Sequence, residues 1–138
     1  MKIRIRANTL RLRLTQSEVQ QLASEGLVEE VTPFGESQAL RYALLSTETE
    51  AITASFVDGR IAVAVPRAQA QQWASDDTQV GMQAEMPTAN NGPENYRPDS
   101  YRDGQSTLSI LIEKDFACLQ TRTGEDDKDT FPNPLAEQ

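Results

Sequence analysis

The chain of 138 residues contains no histidine and a single cysteine, Cys118. The lack of histidine excludes a His-based catalytic triad or a histidine general base within this chain, and a structural zinc site would lack its usual ligands. One cysteine cannot form an internal disulfide, which agrees with a reducing compartment. We interpret Cys118 as a small core residue rather than as a nucleophile. Any catalysis would therefore depend on carboxylates, Lys, Arg, Tyr, hydroxyls or a metal held by oxygen atoms.

Long apolar runs and a positive overall charge are also lacking. No run approaches the length of a membrane span, and the charged first 20 residues do not resemble a secretory signal. We therefore expect a cytoplasmic protein that does not bind membranes. A formal net charge of -8 argues against a generic nucleic-acid binder. The length fits a single domain spanning 1–138.

Positive charge is nevertheless concentrated at the start of the chain. The first 14 residues contain five cations and no acid, whereas the rest of the chain carries all 21 acids and eight cations. The five cations are Lys2, Arg4, Arg6, Arg11 and Arg13. This distribution makes the molecule electrically asymmetric.

The same stretch predicts a β-hairpin. Cations alternate with Ile or Leu in 2–6 and in 9–14, which is typical of half-buried strands. The apolar residues are odd-numbered in the first strand and even-numbered in the second, so we expect a tight turn at Ala7-Asn8. The turn sets Arg4 opposite Arg11, and such like-charged pairs destabilise a sheet by up to about 1 kcal/mol each unless they are neutralised.

The sequence predicts the order strand, strand, helix, strand, strand twice. In the first half, 1–49, the capping-box pattern of Thr15 and Glu18 begins a helix that ends at Gly26. Further strands are predicted at 27–34 and 39–46, and in the second half, 50–119, at 51–57, 60–65, 78–86 and 108–116, with a helix beginning at Pro66.

A shift of 51 positions aligns the two halves from the first hairpin through the helix. It places Asp58-Gly59, a strong hairpin signal, on Ala7-Asn8. We therefore predict an α+β fold: an antiparallel, barrel-like sheet of about eight strands with two helices, built from a duplicated β-β-α-β-β unit.

Two segments fall outside this plan. Residues 87–107 are rich in Pro, Gly, Asn and Asp and are predicted to form a mobile surface loop or, alternatively, a lid that contacts a ligand. The acidic tail, 124–138, is expected to extend over the surface, with Phe131 and Leu135 as docking points.

The basic hairpin has two interpretations. In the structural interpretation, carboxylates on neighbouring strands neutralise the cations; the candidates are Glu29, Glu30, Glu85, Glu113 and Asp115. In the binding interpretation, the fold itself does not require the cations, because the aligned positions of the second half are small or neutral: Thr53, Ser55, Val57, Ala62 and Ala64.

The binding interpretation predicts an anion site formed by Lys2, Arg4, Arg6, Arg11 and Arg13, facing the interior of the barrel. Arginine suits this role because its planar fork binds phosphate or carboxylate through two parallel hydrogen bonds. Glu113 and Asp115 are candidate ligands for Mg²⁺ or Mn²⁺ beside a phosphate. We assign no catalytic residue.

The segments MKIRIR, LRLRLTQSEV and LIEKDFACL, followed by FPNP, resemble a family of short uncharacterised bacterial proteins with a domain of unknown function. The duplicated plan also resembles the CYTH superfamily of triphosphate tunnel enzymes. That resemblance implies a wide eight-stranded barrel, lined by basic and acidic side chains, that acts on triphosphates with a divalent metal. The superfamily's Glu-x-Glu-x-Lys pattern is not present, and Glu113-Lys114-Asp115 is the nearest approach.

We therefore expect a non-enzymatic protein that binds a phosphate-bearing small molecule or an acidic protein surface through the basic hairpin. The alternative is a metal-dependent, tunnel-type triphosphate hydrolase.

Overall fold

A computed structural model describes residues 1–88, 106–116, 129–132 and 134. Eight strands and two helices lie within these residues and confirm the predicted order of elements. They are β1 (Lys2–Arg6), β2 (Thr9–Leu14), α1 (Gln16–Glu25), β3 (Leu27–Phe34), β4 (Gln38–Thr47), β5 (Thr53–Val57), β6 (Arg60–Pro66), α2 (Arg67–Ser75), β7 (Gly81–Thr88) and β8 (Ser106–Lys114).

The described strands form two four-stranded sheets, ordered β1-β2-β8-β7 and β3-β4-β6-β5. The α+β class is therefore confirmed, but the prediction of a single antiparallel, barrel-like sheet is wrong. Strands that follow each other in a hairpin pair antiparallel, but the central pairs β2–β8 and β4–β6 are parallel. Each sheet takes one hairpin from each half of the chain, so its central strands come from different halves. Period-two patterns identify strands but do not reveal which distant strands pair.

The two sheets approach each other at their edges without forming a ladder between them. Near β5 and β7, the Ala54 backbone N–H points at Met86 Sδ, 3.3 Å away. At the other side, the Tyr42 hydroxyl donates to the Met1 carbonyl oxygen at 3.3 Å, and the N-terminal ammonium contacts Glu18 and Glu30. These contacts between the two sheets involve side chains or the chain terminus, and no strand ladder joins the sheets among the described residues.

One apolar core lies between the inner faces of the two sheets. Alternate residues of β2 and β8 point into it, as do residues of β4 and β6; the buried set includes Leu10, Leu12, Leu14, Ile110, Ile112, Leu44, Val63 and Val65. The helices α1 and α2 contact each other and add Leu22 and Trp73, both fully buried, to the same core. Because the helices follow β2 and β6 directly, they lie at the end of the sheets opposite the hairpin turns.

Helix α1 begins and ends as the sequence predicts. The Thr15 side chain accepts from the Glu18 backbone N–H, and the Thr15 N–H donates to Glu18 Oε1 at 2.9 Å. Gly26 adopts a left-handed conformation (φ 78°) and donates its N–H to the Leu22 carbonyl oxygen at 3.0 Å. These contacts satisfy backbone groups that a helix leaves unpaired at its ends.

The turn of the hairpin β1–β2 also corresponds to the turn of the hairpin β5–β6. Ala7 and Asp58, which are 51 positions apart, both have positive φ, at 47° and 51°. The element order and these turns agree with the aligned halves, while duplication of the sequence itself stays a prediction.

The predicted loop and tail are described in part. Pro87 pairs with Thr107, and Thr88 with Ser106, so the ends of the predicted loop belong to β7 and β8. Residues 89–105, Cys118 and Leu135 lie outside the described residues.

Within the tail, Phe131 is buried, as expected of a docking point. Its ring packs edge-on against Phe116 with centroids 5.7 Å apart, and its N–H donates to the Asp115 carbonyl oxygen at 2.9 Å. Asp129 Oδ1 accepts from the Ser17 N–H at the start of α1, at 3.0 Å.

Two glycines with the same positive φ allow a matched test of the hairpin β5–β6. Gly35 and Gly59 both have φ 74°, but a Cβ at Gly59 would lie 3.1 Å from the Ala39 carbonyl oxygen, whereas one at Gly35 would have nothing within 4 Å. We expect Gly59→Ala to lower the free energy of unfolding by about 1–2 kcal/mol, because L residues are strained at positive φ, and by more than Gly35→Ala. Urea unfolding of both variants measures the difference; equal losses would show that the contact with Ala39 has no effect.

Candidate anion-binding face

The five N-terminal cations lie on the outer face of the sheet β1-β2-β8-β7, which we call the basic face. It consists of Lys2, Arg4, Arg6, Arg11 and Arg13. The predicted facing pairs are confirmed, with Lys2 opposite Arg13 and Arg4 opposite Arg11. Ile and Leu occupy the alternate positions and point towards the core, so the cations point to solvent. The predicted inward orientation, towards a barrel interior, is wrong for this reason.

Carboxylates neutralise two of the five cations. Arg11 Nη2 lies 2.7 Å from Glu113 Oε2, and Lys2 Nζ lies 3.2 Å from Asp115 Oδ2. Both acids come from β8 or the residue that follows it, because β8 is the parallel neighbour of β2. The structural interpretation therefore accounts for part of the basic face.

The remaining three cations, Arg4, Arg6 and Arg13, have no carboxylate within 4 Å in the part of the chain that the structure describes. Arg4 and Arg6 are exposed, and Arg13 is half-buried. In addition, the Nε atom of Arg11 is buried and has no hydrogen-bond partner there. The basic face thus has unused donors as well as unneutralised charge.

Two adjoining clefts lie over the basic face. One, of about 430 Å³, is lined by Arg4, Arg6, Thr9, Arg11, Leu111 and Glu113. The other, of about 230 Å³, is lined by Lys2, Ile3, Arg4, Arg11 and Arg13. Arg4 and Arg11 line both clefts, so an anion in either would meet their guanidinium groups. Leu111 was not anticipated from the sequence, since its position depends on the pairing of β2 with β8. Thr9 alternates with the core residues of β2 as Arg11 does, so the sequence pattern could have identified it.

The predicted metal ligands do not form a convincing cation site. Glu113 and Asp115 are each engaged by a cation, Arg11 and Lys2 respectively. The described residues contain no cluster of three or more His, Cys, Asp or Glu side chains able to hold a metal ion. A metal at Glu113 and Asp115 would have to displace both ion pairs, so these residues fit Mg²⁺ or Mn²⁺ poorly.

Lys114 is a buried cation for which the sequence predicted no role. It is 2% exposed, and its Nζ donates to the Asp76 carbonyl oxygen at 2.7 Å. The Nζ lies 5.6 Å from the centroid of the Trp73 ring and 5.2 Å from that of Phe131. Burial lowers the pKa of Lys114, and the charges of Asp77 and Asp76 partly oppose this effect.

The signal for this burial was present in the sequence. Lys114 is an alternate position of β8 in line with Ile110 and Ile112, which point into the core, so its side chain lies on the same face of the strand. Its ammonium holds the tail to the core through the ring of Phe131, which indicates a structural role.

A third cleft, largely apolar, lies between the two sheets near the hairpin turns. It has a volume of about 430 Å³, and its lining includes Ile5, Leu10, Leu40, Phe56, Ile61 and Leu108. Ile5 and Phe56 are 61% and 69% exposed. Strand β1 therefore separates an apolar cleft on its inner face from the basic clefts on its outer face.

The fold and this face define a mixed α+β protein of two four-stranded sheets with a cationic sheet surface. The model of the family of unknown function DUF7009 matches residues 1–135, and the chain belongs to this family. The resemblance to a domain of unknown function is thereby confirmed. No curated protein and no solved structure matches the chain, so the resemblance to the CYTH superfamily has no support. Within the described residues, neither helix has the length and apolar character needed to cross a membrane.

The buried ammonium of Lys114 gives a test in alkaline solution. Its pKa is lowered in the folded protein, so between this value and the ordinary value near 10.5 the unfolded chain binds more protons. The contribution of Lys114 to the free energy of unfolding must then rise with pH through that interval. We expect the difference in free energy of unfolding between the wild type and Lys114→Met to increase as the pH is raised towards 10.5, as measured by urea unfolding. Lys2→Met, which removes an exposed lysine, is the control. The expectation is contradicted if the difference in free energy of unfolding between the wild type and Lys114→Met does not change with pH.

Proposed function

We propose that the protein binds an anionic ligand or partner, phosphate-bearing or acidic, through the basic face, and that it does so without catalysing a reaction. The observation that carries this proposal is that Arg4, Arg6 and Arg13 have no carboxylate partner among the described residues of a chain with 21 acids. We place this binding in the cytoplasm, in line with the sequence prediction.

The energetics of the sheet support a bound anion. Arg4 and Arg11 face each other, and an unneutralised pair of this kind costs up to about 1 kcal/mol. Because Glu113 pairs with Arg11 alone, part of this repulsion remains. An anion beside them replaces the remaining repulsion by attraction to the guanidinium groups. Binding would therefore relieve a strain that the unliganded sheet carries.

The other half of the chain supports the same conclusion. We infer that the halves derive from a duplicated β-β-α-β-β unit. In the hairpin β5–β6, the positions aligned with the five cations carry Thr53, Ser55, Val57, Ala62 and Ala64. These five residues carry no charge and still form the same kind of hairpin in the other sheet, in which the cation Arg60 is paired with Glu29. The cations are thus dispensable for the hairpin and suit a binding role.

A purely structural role is the competing explanation. Charged side chains on an edge strand prevent it from pairing with other molecules, and β1 is an edge strand. That role needs charge but no ligand, so anion binding distinguishes the two. The tunnel-type triphosphate hydrolase is not carried forward, because the described strands do not close into a barrel and Glu113 and Asp115 are engaged by cations.

Arg4 is the residue whose replacement tests the proposal most directly, because it lines both clefts of the basic face. Inorganic phosphate, triphosphate and citrate serve as probes in thermal-shift and calorimetric titrations. Each charge-assisted hydrogen bond is worth about 1.5–3 kcal/mol, so Arg4→Gln should raise Kd about 10- to 150-fold. Arg41→Gln, which removes an exposed arginine from the outer face of the other sheet, should leave Kd unchanged. The proposal is refuted if none of the three probes binds, or if Arg4→Gln and Arg41→Gln raise Kd equally.

Removing Glu113 should have the opposite effect. Its carboxylate lies in the larger basic cleft and occupies Arg11, so it competes with an incoming anion. We expect Glu113→Gln to lower Kd for triphosphate about 3- to 10-fold, equivalent to roughly 0.7–1.4 kcal/mol. The matched control is Glu29→Gln, which breaks ion pairs with Arg60 and Arg41 on the other sheet. Weaker binding by Glu113→Gln would show that the ion pair supports the site rather than blocking it.

A further inference from the structure

We propose that the free edge of β1 accepts an extended segment of a partner protein in which acidic and apolar residues alternate, so that the segment becomes an added strand of the sheet. This inference rests on the proposed function and names the partner of the basic face. It uses a feature that the anion-binding proposal does not use, the backbone of β1.

Among the described residues, one side of the β1 backbone has no strand paired with it. The strand is the edge of its sheet, and within the described ranges it pairs with β2 alone. The two-residue turn makes Arg6 and Thr9 a hydrogen-bonded pair, so hydrogen bonding to β2 alternates along β1. Ile3 and Ile5 therefore direct their N–H and C=O groups away from β2, towards the free edge. These are the groups that bind an added strand.

The side chains of β1 specify what that strand must contain. Arg4 and Arg6 point to the outer face, and Ile3 and Ile5 point to the inner face, where Ile5 lines the apolar cleft. Residues directly opposite each other in a sheet lie on the same face. An added strand would therefore place acidic side chains beside Arg4 and Arg6 and apolar side chains over the cleft beside Ile5.

Charge complementarity selects this partner over a second copy of the chain. Two β1 strands placed side by side would bring Lys2, Arg4 and Arg6 against the same cations, which is unfavourable. The corresponding edge strand, β5, carries no charge, so it lacks the means to select an acidic partner. A polyphosphate or a nucleic-acid strand would meet the arginines but has no backbone pattern to match that of Ile3 and Ile5.

The test uses synthetic peptides and the full chain. A fluorescent peptide in which Glu and Val alternate is titrated by anisotropy against a peptide of the same composition with its Glu and Val residues in separate blocks. Two further versions of the alternating peptide carry N-methyl groups on all Val residues or on all Glu residues. In an added strand one of these two sets of N–H groups faces β1 and the other faces solvent. We expect the alternating peptide to bind about tenfold or more tightly than the block peptide, and exactly one N-methylated version to lose that advantage.

Protein variants provide a second, independent measurement. Ile5→Pro removes the N–H that points to the free edge while the hydrogen-bonded pairs with β2 are kept, and proline is tolerated on edge strands. The matched control is Phe56→Pro, at the equivalent position of β5, 51 residues later. We expect Ile5→Pro to weaken binding of the alternating peptide about tenfold or more, and Phe56→Pro to leave it unchanged. Circular dichroism verifies the fold of both variants, and the N-methylated peptides decide the question if Ile5→Pro does not fold.

Failure of this inference is distinguishable from failure of the proposed function, because triphosphate and a single-stranded DNA oligonucleotide are titrated in parallel. The inference is overturned if the block peptide or the oligonucleotide binds as tightly as the alternating peptide, or if both N-methylated versions bind equally. Either result would mean that binding to the basic face depends only on the charge of the ligand. The proposed function would then stand. If neither triphosphate nor any acidic peptide binds, the proposed function fails as well.

Discussion

The burial of alternate residues of β2 between the two sheets is the constraint on which the rest of the structure depends. Leu10, Leu12 and Leu14 are almost completely buried, and they fix which face of β2 points to the core. A slip of one residue would bury Arg11 and Arg13 in their place, so the register is strongly specified. The basic face is therefore a direct result of how the core is packed.

The same constraint joins the two halves of the chain. The central strands β2 and β8, like β4 and β6, come from different halves and pair in parallel. Neither half contains a complete sheet, because each half contributes one hairpin to each sheet. This exchange also brings Glu113 beside Arg11, so that one half partly neutralises the charge of the other.

Much of the local structure could be predicted from the sequence. The period-two pattern located all the described strands to within a few residues, and the capping box at Thr15 and the turn at Asp58-Gly59 were identified from local residue chemistry. The facing cation pairs followed from the turn position. Each of these features is determined by residues close together in the chain.

The rest depended on contacts between distant segments. The two sheets meet where Met86 Sδ contacts the Ala54 N–H and where the Tyr42 hydroxyl donates to the Met1 carbonyl oxygen, and no periodicity encodes these contacts. For the candidate site, the sequence identified the five cations but not their direction, which is set by the face of β2 that meets the core. It also could not show which cations are neutralised, since this depends on the parallel pairing of β2 with β8.

The segregation of charge has a consequence for how the molecule moves before it touches anything. Five cations lie on one outer sheet face, while the 21 acids belong to the remainder of a chain with net charge -8. Arg4, Arg6 and Arg13 have no carboxylate partner among the described residues, and in the field of a negatively charged body the attraction on these arginines produces a torque that turns them forward. Encounters that begin in the wrong orientation are thus corrected during diffusion. The correction weakens as added salt shortens the screening length, which is about 8 Å at physiological ionic strength.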